Sequence, residues 1–140
     1  MKKLYVLIAV TTLFINMQAQ TFDWAKREGL WAYDYGYGIT TDNMGNVYVA
    51  GKYEQDANFS GTILPCPPPD CNHDIWVAQY SSTGTLNWIR TAGGQSGDYA
   101  WDIACDNSFL YVAGEIEGVN ETIYFPGSPI TLTCQASNDI

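Results

Sequence analysis

Beyond its first twenty residues the chain alternates apolar and polar positions in short runs, and the runs are separated by Gly, Asn, Asp and Ser. No window longer than one turn keeps an apolar stripe at helical spacing, so the pattern predicts strands. Gly38–Thr41 reads as a short first strand, and Asn46–Lys52 (NVYVAGK), rich in Val and Tyr, as a second. Between them DNMGN supplies a tight turn, in which Asp42 can accept backbone N–H bonds and Gly45 tolerates positive φ. Asp74–Ser81 (DIWVAQYS) and Thr85–Arg90 (TLNWIR) read as a third and a fourth strand, joined by the STG turn at 82–84.

This pattern then recurs. FDWAKREG (22–29) matches LNWIRTAG (86–93), aligning Trp24 with Trp88. YGITTDNMGNVYVAG (37–51) matches WDIACDNSFLYVAG (101–114), aligning Asp42 with Asp106 and Gly51 with Gly114. NFSGTILPC (58–66) returns loosely as YFPGSPITLTC (124–134), and HDI (73–75) as NDI (138–140). The offsets, 64 for the Trp and Asp pairs and 63 for the Gly pair, are nearly constant and in order. A unit of this size cannot bury its apolar faces alone and must stack on neighbours of its own kind. Four antiparallel strands per unit with repeated aromatic landmarks are the pattern of a β-propeller blade. The fold class expected is therefore all-β, as a partial propeller of one full blade and parts of two others; a small two-sheet sandwich is the alternative.

The string DNMGNVYVAG, the later DIWVAQYSSTGTLNW and the Gly-Gly after it resemble the SBBP group of β-propeller repeats. That resemblance covers nearly all of 22–140 and implies a secreted bacterial, surface-sorted repeat protein. The second unit departs from the pattern, since Asn107, Ser108 and Phe109 replace the Gly-containing turn. AQYSSTGTLNW (78–88) is also similar, more weakly, to the tryptophan-docking repeat of quinoprotein-type propellers, with Tyr80 and Thr85 at positions where that pattern prefers Asp and Lys. In that group the motif locks blades together and does not hold the quinone.

The first twenty residues read differently. Lys2 and Lys3 precede an apolar run from Leu4 to Met17, shorter than the roughly 20 residues a bilayer-spanning helix needs. Gln18-Ala19-Gln20 suits signal-peptidase cleavage after Ala19. Export to the cell surface or medium is expected, with no membrane insertion after cleavage. The domain reading is a signal peptide at 1–19, an outer strand and aromatic segment at 20–37, a complete blade at 38–90, and a partial second blade at 91–140 of a truncated chain. Export places the four cysteines in an oxidising setting, where three full pairings are open and proximity favours Cys66–Cys71.

Charge narrows the partners. Lys+Arg is 6 against 15 Asp+Glu, a net charge of −9, which argues against nucleic acid and anionic membranes. With 15% charged and 14% aromatic residues the chain is no disordered acidic tail. The partner expected is a protein or glycan at the cell surface.

The search for chemistry is mostly negative. No cofactor is expected. Calcium is the one cation that Asp70, Asn72, His73 and Asp74 would suit, yet no EF-hand Gly or Glu accompanies them, and a polar loop is preferred. GGQSGD (93–98) fails the GxSxG test, since Asp98 stands at the last Gly position. Asp42 and Asp106 recur at the same turn, as structural caps do. Trp24 and Trp88 also recur and are read as packing between blades. LWAYDYGYG alternates aromatics, so an extended segment would set Trp31, Tyr33, Tyr35 and Tyr37 in one row, a candidate ligand-contact surface. The function expected is non-catalytic binding, adhesion or scaffolding. The alternative is a fragment of a carbohydrate-active or redox propeller enzyme with its catalytic residues elsewhere.

Overall fold

Alternation becomes strands, and no helix occurs among the described residues, which are 22–66, 72–106, 108–120, 122–125, 131–135 and 138–139 of a computed structural model. The strands are β1 (Tyr35–Thr41), β2 (Val47–Tyr53), β3 (Ala57–Phe59), β4 (Thr62–Leu64), β5 (Asp74–Tyr80), β6 (Leu86–Ala92), β7 (Asp98–Cys105), β8 (Leu110–Glu117), β9 (Thr122–Tyr124), β10 (Thr131–Thr133) and β11 (Asn138–Asp139). The signal peptide expected at 1–19, Asp70 and Cys71 lie outside the described residues.

β1, β2, β5 and β6 pair antiparallel in that order, forming one four-stranded sheet from Tyr35 to Ala92. A second sheet has the order β11-β8-β7. These are the antiparallel sheets of partial propeller blades. Each unit also carries a hairpin between its second and third strands, β3–β4 and β9–β10. These strands are three residues long, too short for a period of two to declare itself.

Residues 22–34, within the 20–37 segment read as an outer strand, hold no strand here. A strand needs a neighbour to complete its ladder, and no described strand pairs with this segment. Its polar groups are satisfied elsewhere. Trp24 Nε1 donates to the Ser82 carbonyl at 3.0 Å, Gly29 N to the Asn58 carbonyl at 2.8 Å, and Glu28 accepts from Ser60 N and Oγ and from the Tyr80 hydroxyl. The indole of Trp24 lies over the β5–β6 turn at Gly84, where an added Cβ would come 2.8 Å from the ring.

Two cores occupy the two faces of the first sheet. On one face Trp76, Ala78 and Tyr80 of β5 pack under the β3–β4 hairpin with Phe59, whose ring centroid is 4.7 Å from that of Trp76. Phe59 is fully buried, which contributes about 2–3 kcal/mol. On the other face Tyr48 and Ala50 of β2 meet Ala100 and Ile103 of β7, so the sheets stack face to face. They approach most closely at β1 and β7: an added Cβ at Gly38 would fall 2.8 Å from the Asp102 Cα and the Ile103 nitrogen. Farther out, β5 and β6 diverge from β8 and leave an apolar crevice of about 330 Å³ bordered by Ile75, Val77, Val112 and Ile116. Sheets that converge at their first strands and splay outward are wedges, which suits radial stacking.

Candidate binding surface

The repeat shows itself first at the turns. Asp42 Oδ1 accepts from the backbone of Met44 and Asn46, each at 2.9 Å, and Oδ2 accepts from Asn46 Nδ2 and the Tyr48 hydroxyl. Asp106 does the same in the second unit, with Ser108 N, Phe109 N and the Tyr111 hydroxyl. These bonds hold both carboxyls below the usual carboxylate range, led by the Asn46 side chain at Asp42 and the Phe109 backbone at Asp106. Gly45 sits at φ +80°, as the turn between β1 and β2 requires.

Each first strand carries one extra residue. The β1–β2 register slips between Gly36 and Gly38, leaving Tyr37 as the bulge; the β7–β8 register slips between Ala100 and Asp102, leaving Trp101. Tyr37 and Trp101 are 64 apart, the offset of the repeat. Two residues before each bulge, a carbonyl lies close against the facing strand. A Cβ at Gly51 would lie on the Tyr35 carbonyl oxygen, and one at Gly114 on that of Tyr99. The recurring glycines therefore make room for the recurring bulge.

The bulges assemble aromatic rings from both sheets. Tyr35 and Tyr37 stack at 5.7 Å between centroids, Tyr37 meets Trp101 at 4.8 Å, and Trp101 stacks on Tyr99 at 5.1 Å. Lys52 Nζ closes the cycle, 5.3 Å from the Tyr35 centroid and 5.2 Å from that of Tyr99, within cation–π range. The lysine is buried, and loss of hydration lowers its pKa against the pull of Glu54, Glu117 and Asp34. Tyr35, Tyr37 and Trp101 are about half exposed. Burial raises the Tyr37 and Tyr99 phenols, so both remain neutral donors and acceptors near neutral pH.

The four-aromatic row expected along 31–37 is thus divided. Tyr35 and Tyr37 enter the cycle, whereas Trp31 and Tyr33 precede β1 in a bend and are 97% and 68% exposed. The single extended segment is broken because Asp34 turns the chain, accepting from Leu30 N at 3.1 Å and Glu54 N at 3.2 Å. Asp98 accepts from Gly94 N at 2.9 Å, so Asp34 and Asp98 form a further repeat pair at offset 64. The signal lay in WAYD and QSGD, which share only their last residue. Trp88 lies beside Tyr48, at 6.1 Å, and under the Arg90 guanidinium.

The other candidates resolve into structural contacts. His73 has Nε2 at 3.4 Å from a Glu54 carboxylate oxygen and Nδ1 at 3.3 Å from the Tyr99 hydroxyl, while Asn72 donates to the Gln95 carbonyl. Both imidazole nitrogens thus face groups other than Ser96. No group of three His, Cys, Asp or Glu able to hold a metal occurs among the described residues. Asp98, Asp102 and Asp106 do not converge: Asp98 caps the 93–98 loop, Asp102 accepts from Ile103 N, and Asp106 caps the β7–β8 turn.

Comparison with curated proteins and with solved structures returns no match. A family model does match: the SBBP β-propeller repeat, over residues 24–52. The matched stretch starts at Trp24 and ends just past Gly51, the landmarks that return as Trp88 and Gly114. Residues 24–52 of the chain thus match an SBBP β-propeller repeat.

Proposed function

We propose that the chain is a non-catalytic, exported propeller module that binds a surface glycan through the aromatic cycle of Tyr35, Tyr37, Tyr99 and Trp101. The observation that carries this reading is the cycle itself. Half-exposed rings from two consecutive repeats are held in fixed stacks by paired bulges, and Lys52 anchors them from behind. Flat apolar faces beside neutral phenol hydroxyls suit a pyranose, whose C–H face stacks while its hydroxyls hydrogen-bond. The carboxylates of the repeat are engaged as turn caps, which favours binding over acid–base chemistry. Export rests on the leader pattern at 1–19. A Cys66–Cys71 bridge accords with an oxidising compartment and is supported by Cys66 being disulfide-bonded.

The test is a glycan array followed by titration of tryptophan fluorescence with the retained sugar. Binding should quench Trp101, and Trp101→Ala should weaken it by at least about tenfold, the equivalent of about 1.4 kcal/mol, with the far-ultraviolet circular dichroism unchanged. An array without hits, or equal affinity in Trp101→Ala, refutes the reading.

A further inference from the structure

Beside the aromatic cycle stands the chain's one histidine. His73 directly precedes β5, and its two ring nitrogens reach groups of different sheets. Nε2 is 3.4 Å from a carboxylate oxygen of Glu54, the residue after β2, and Nδ1 is 3.3 Å from the hydroxyl of Tyr99 on β7. The backbone holds this pair together, since Asp98 N donates to the His73 carbonyl at 2.7 Å, and the two rings are 5.6 Å apart. Charged groups approach from each neighbouring element. Glu54 faces the imidazole from β2, and Lys52 of the same strand stands over the Tyr99 ring. From β8, Glu115 pairs with Tyr99 across the ladder. Glu117 is closer to the phenol oxygen: a Cβ at Gly97 would lie 3.0 Å from both the Tyr99 hydroxyl and a Glu117 carboxylate oxygen, so the two groups flank one point. Asp74 and Asp98, the chain neighbours of the pair, lie with their carboxylates against Gly93 and Gly94.

These contacts settle the tautomer. A carboxylate only accepts, so the neutral imidazole keeps its proton on Nε2, toward Glu54, and the bare Nδ1 accepts from the Tyr99 hydroxyl. The phenol proton is then committed to His73, and the phenol oxygen offers a ligand acceptor capacity alone. When the imidazole takes up a proton, Nδ1–H becomes a donor too, and Tyr99 must turn its O–H away in order to accept from it. Glu117 stands ready to receive the released O–H. We propose that His73 is a positioning residue that sets the hydrogen-bond polarity of Tyr99: neutral, it makes the phenol an acceptor for a sugar hydroxyl, and charged, it reverses the phenol to a donor. The proposal rests on the reading of the aromatic cycle as a glycan surface and adds to it a dependence on pH. Because Glu117 competes for the released O–H while the imidazolium occupies the phenol oxygen, a sugar held through Tyr99 binds more weakly in mild acid.

Nuclear magnetic resonance of the purified protein from about pH 8 to about pH 5, the range in which imidazoles change charge, tests this without any sugar. At the alkaline end the imidazole nitrogen resonances should show the Nε2–H tautomer. As pH falls, the Cζ resonance of Tyr99 should move in step with them. His73→Gln should hold the Tyr99 resonance still, and Glu54→Gln, whose amide can donate as well as accept, should admit the Nδ1–H tautomer. An Nδ1–H tautomer in the wild type, or a Tyr99 resonance that ignores the imidazole titration, overturns the proposal without recourse to a variant. Retention on a glycan array should be weaker at the acid end by at least about threefold, the loss of one neutral hydrogen bond, and should not change with pH for His73→Gln. Equal retention of the wild type at both ends also overturns the proposal. An array silent at both ends refutes the glycan reading instead, and the resonances alone then decide the polarity of Tyr99.

Discussion

Ile39 and Ile103 are the same residue of two successive repeats, and the structure assigns them opposite energetic roles. Ile103 is 4% exposed between the sheets; Ile39 is 69% exposed. Truncating Ile103 to Ala removes three carbons from a closed interface, about 0.8 kcal/mol each by transfer. The cavity left behind brings the total to about 3 kcal/mol, inside the 2–5 kcal/mol range of such truncations. Ile39→Ala uncovers little and should stay within about 0.5 kcal/mol. Urea denaturation followed by tryptophan emission reads the difference. With a slope near 1.5 kcal/mol per molar, typical of a small domain, Ile103→Ala should lower the midpoint by about 2 M and Ile39→Ala by less than about 0.4 M. Equal shifts for the two variants would refute face-to-face stacking of the sheets as the source of the burial at Ile103.

Trp24→Ala removes the hydrogen bond to Ser82 and the indole cover of Gly84, and should cost about 2 kcal/mol in urea unfolding, less than for a wholly buried tryptophan. Gly84→Ala introduces a Cβ at φ +81° beneath the same ring; it should cost at least about 1 kcal/mol and shift Trp24 emission to the red. Gly51→Ala and Gly114→Ala cannot keep the bulge carbonyls of Tyr35 and Tyr99 in place, and each should diminish the near-ultraviolet circular dichroism of the stacked rings. Asp42 and Asp106 have pKa values held low by turn hydrogen bonds, so their stabilisation is present above the unfolded pKa of about 4 and is lost as pH falls through the folded values. The urea midpoint should fall below about pH 4, and the double variant Asp42→Asn with Asp106→Asn should flatten that fall.

What was legible in the sequence was whatever repeats or alternates over enough residues. DIWVAQYS reads as a strand with Asp74, Trp76, Ala78 and Tyr80 on one face, and those four side chains are buried together. The Asp42 and Asp106 caps were legible because the turn demands a carboxylate at a fixed place. The bulge was not, because an extra residue leaves no mark on composition. Its trace was Gly51 and Gly114, which appeared as landmarks without a reason until the Tyr35 and Tyr99 carbonyls supplied one. The aromatic cycle was half visible: alternation picked out Tyr35 and Tyr37, but their partners Tyr99 and Trp101 come from the next repeat through stacking of sheets. Periodicity alone sets Trp31 and Tyr33 in the same row because it is blind to the turn that Asp34 imposes. Lys52 gave no signal, since a buried ammonium between two phenols is a property of three segments.

Two repeats stack face to face with their first strands in contact, and nuclear Overhauser contacts at Gly38 test that stacking most directly. Gly38 has no side chain, and the Ile103 nitrogen lies 2.8 Å from where its Cβ would stand. A strong cross-peak between a Gly38 α proton and the Ile103 amide proton is expected. If the Gly38 α protons instead show contacts only within β1 and β2, the two sheets do not stack as described.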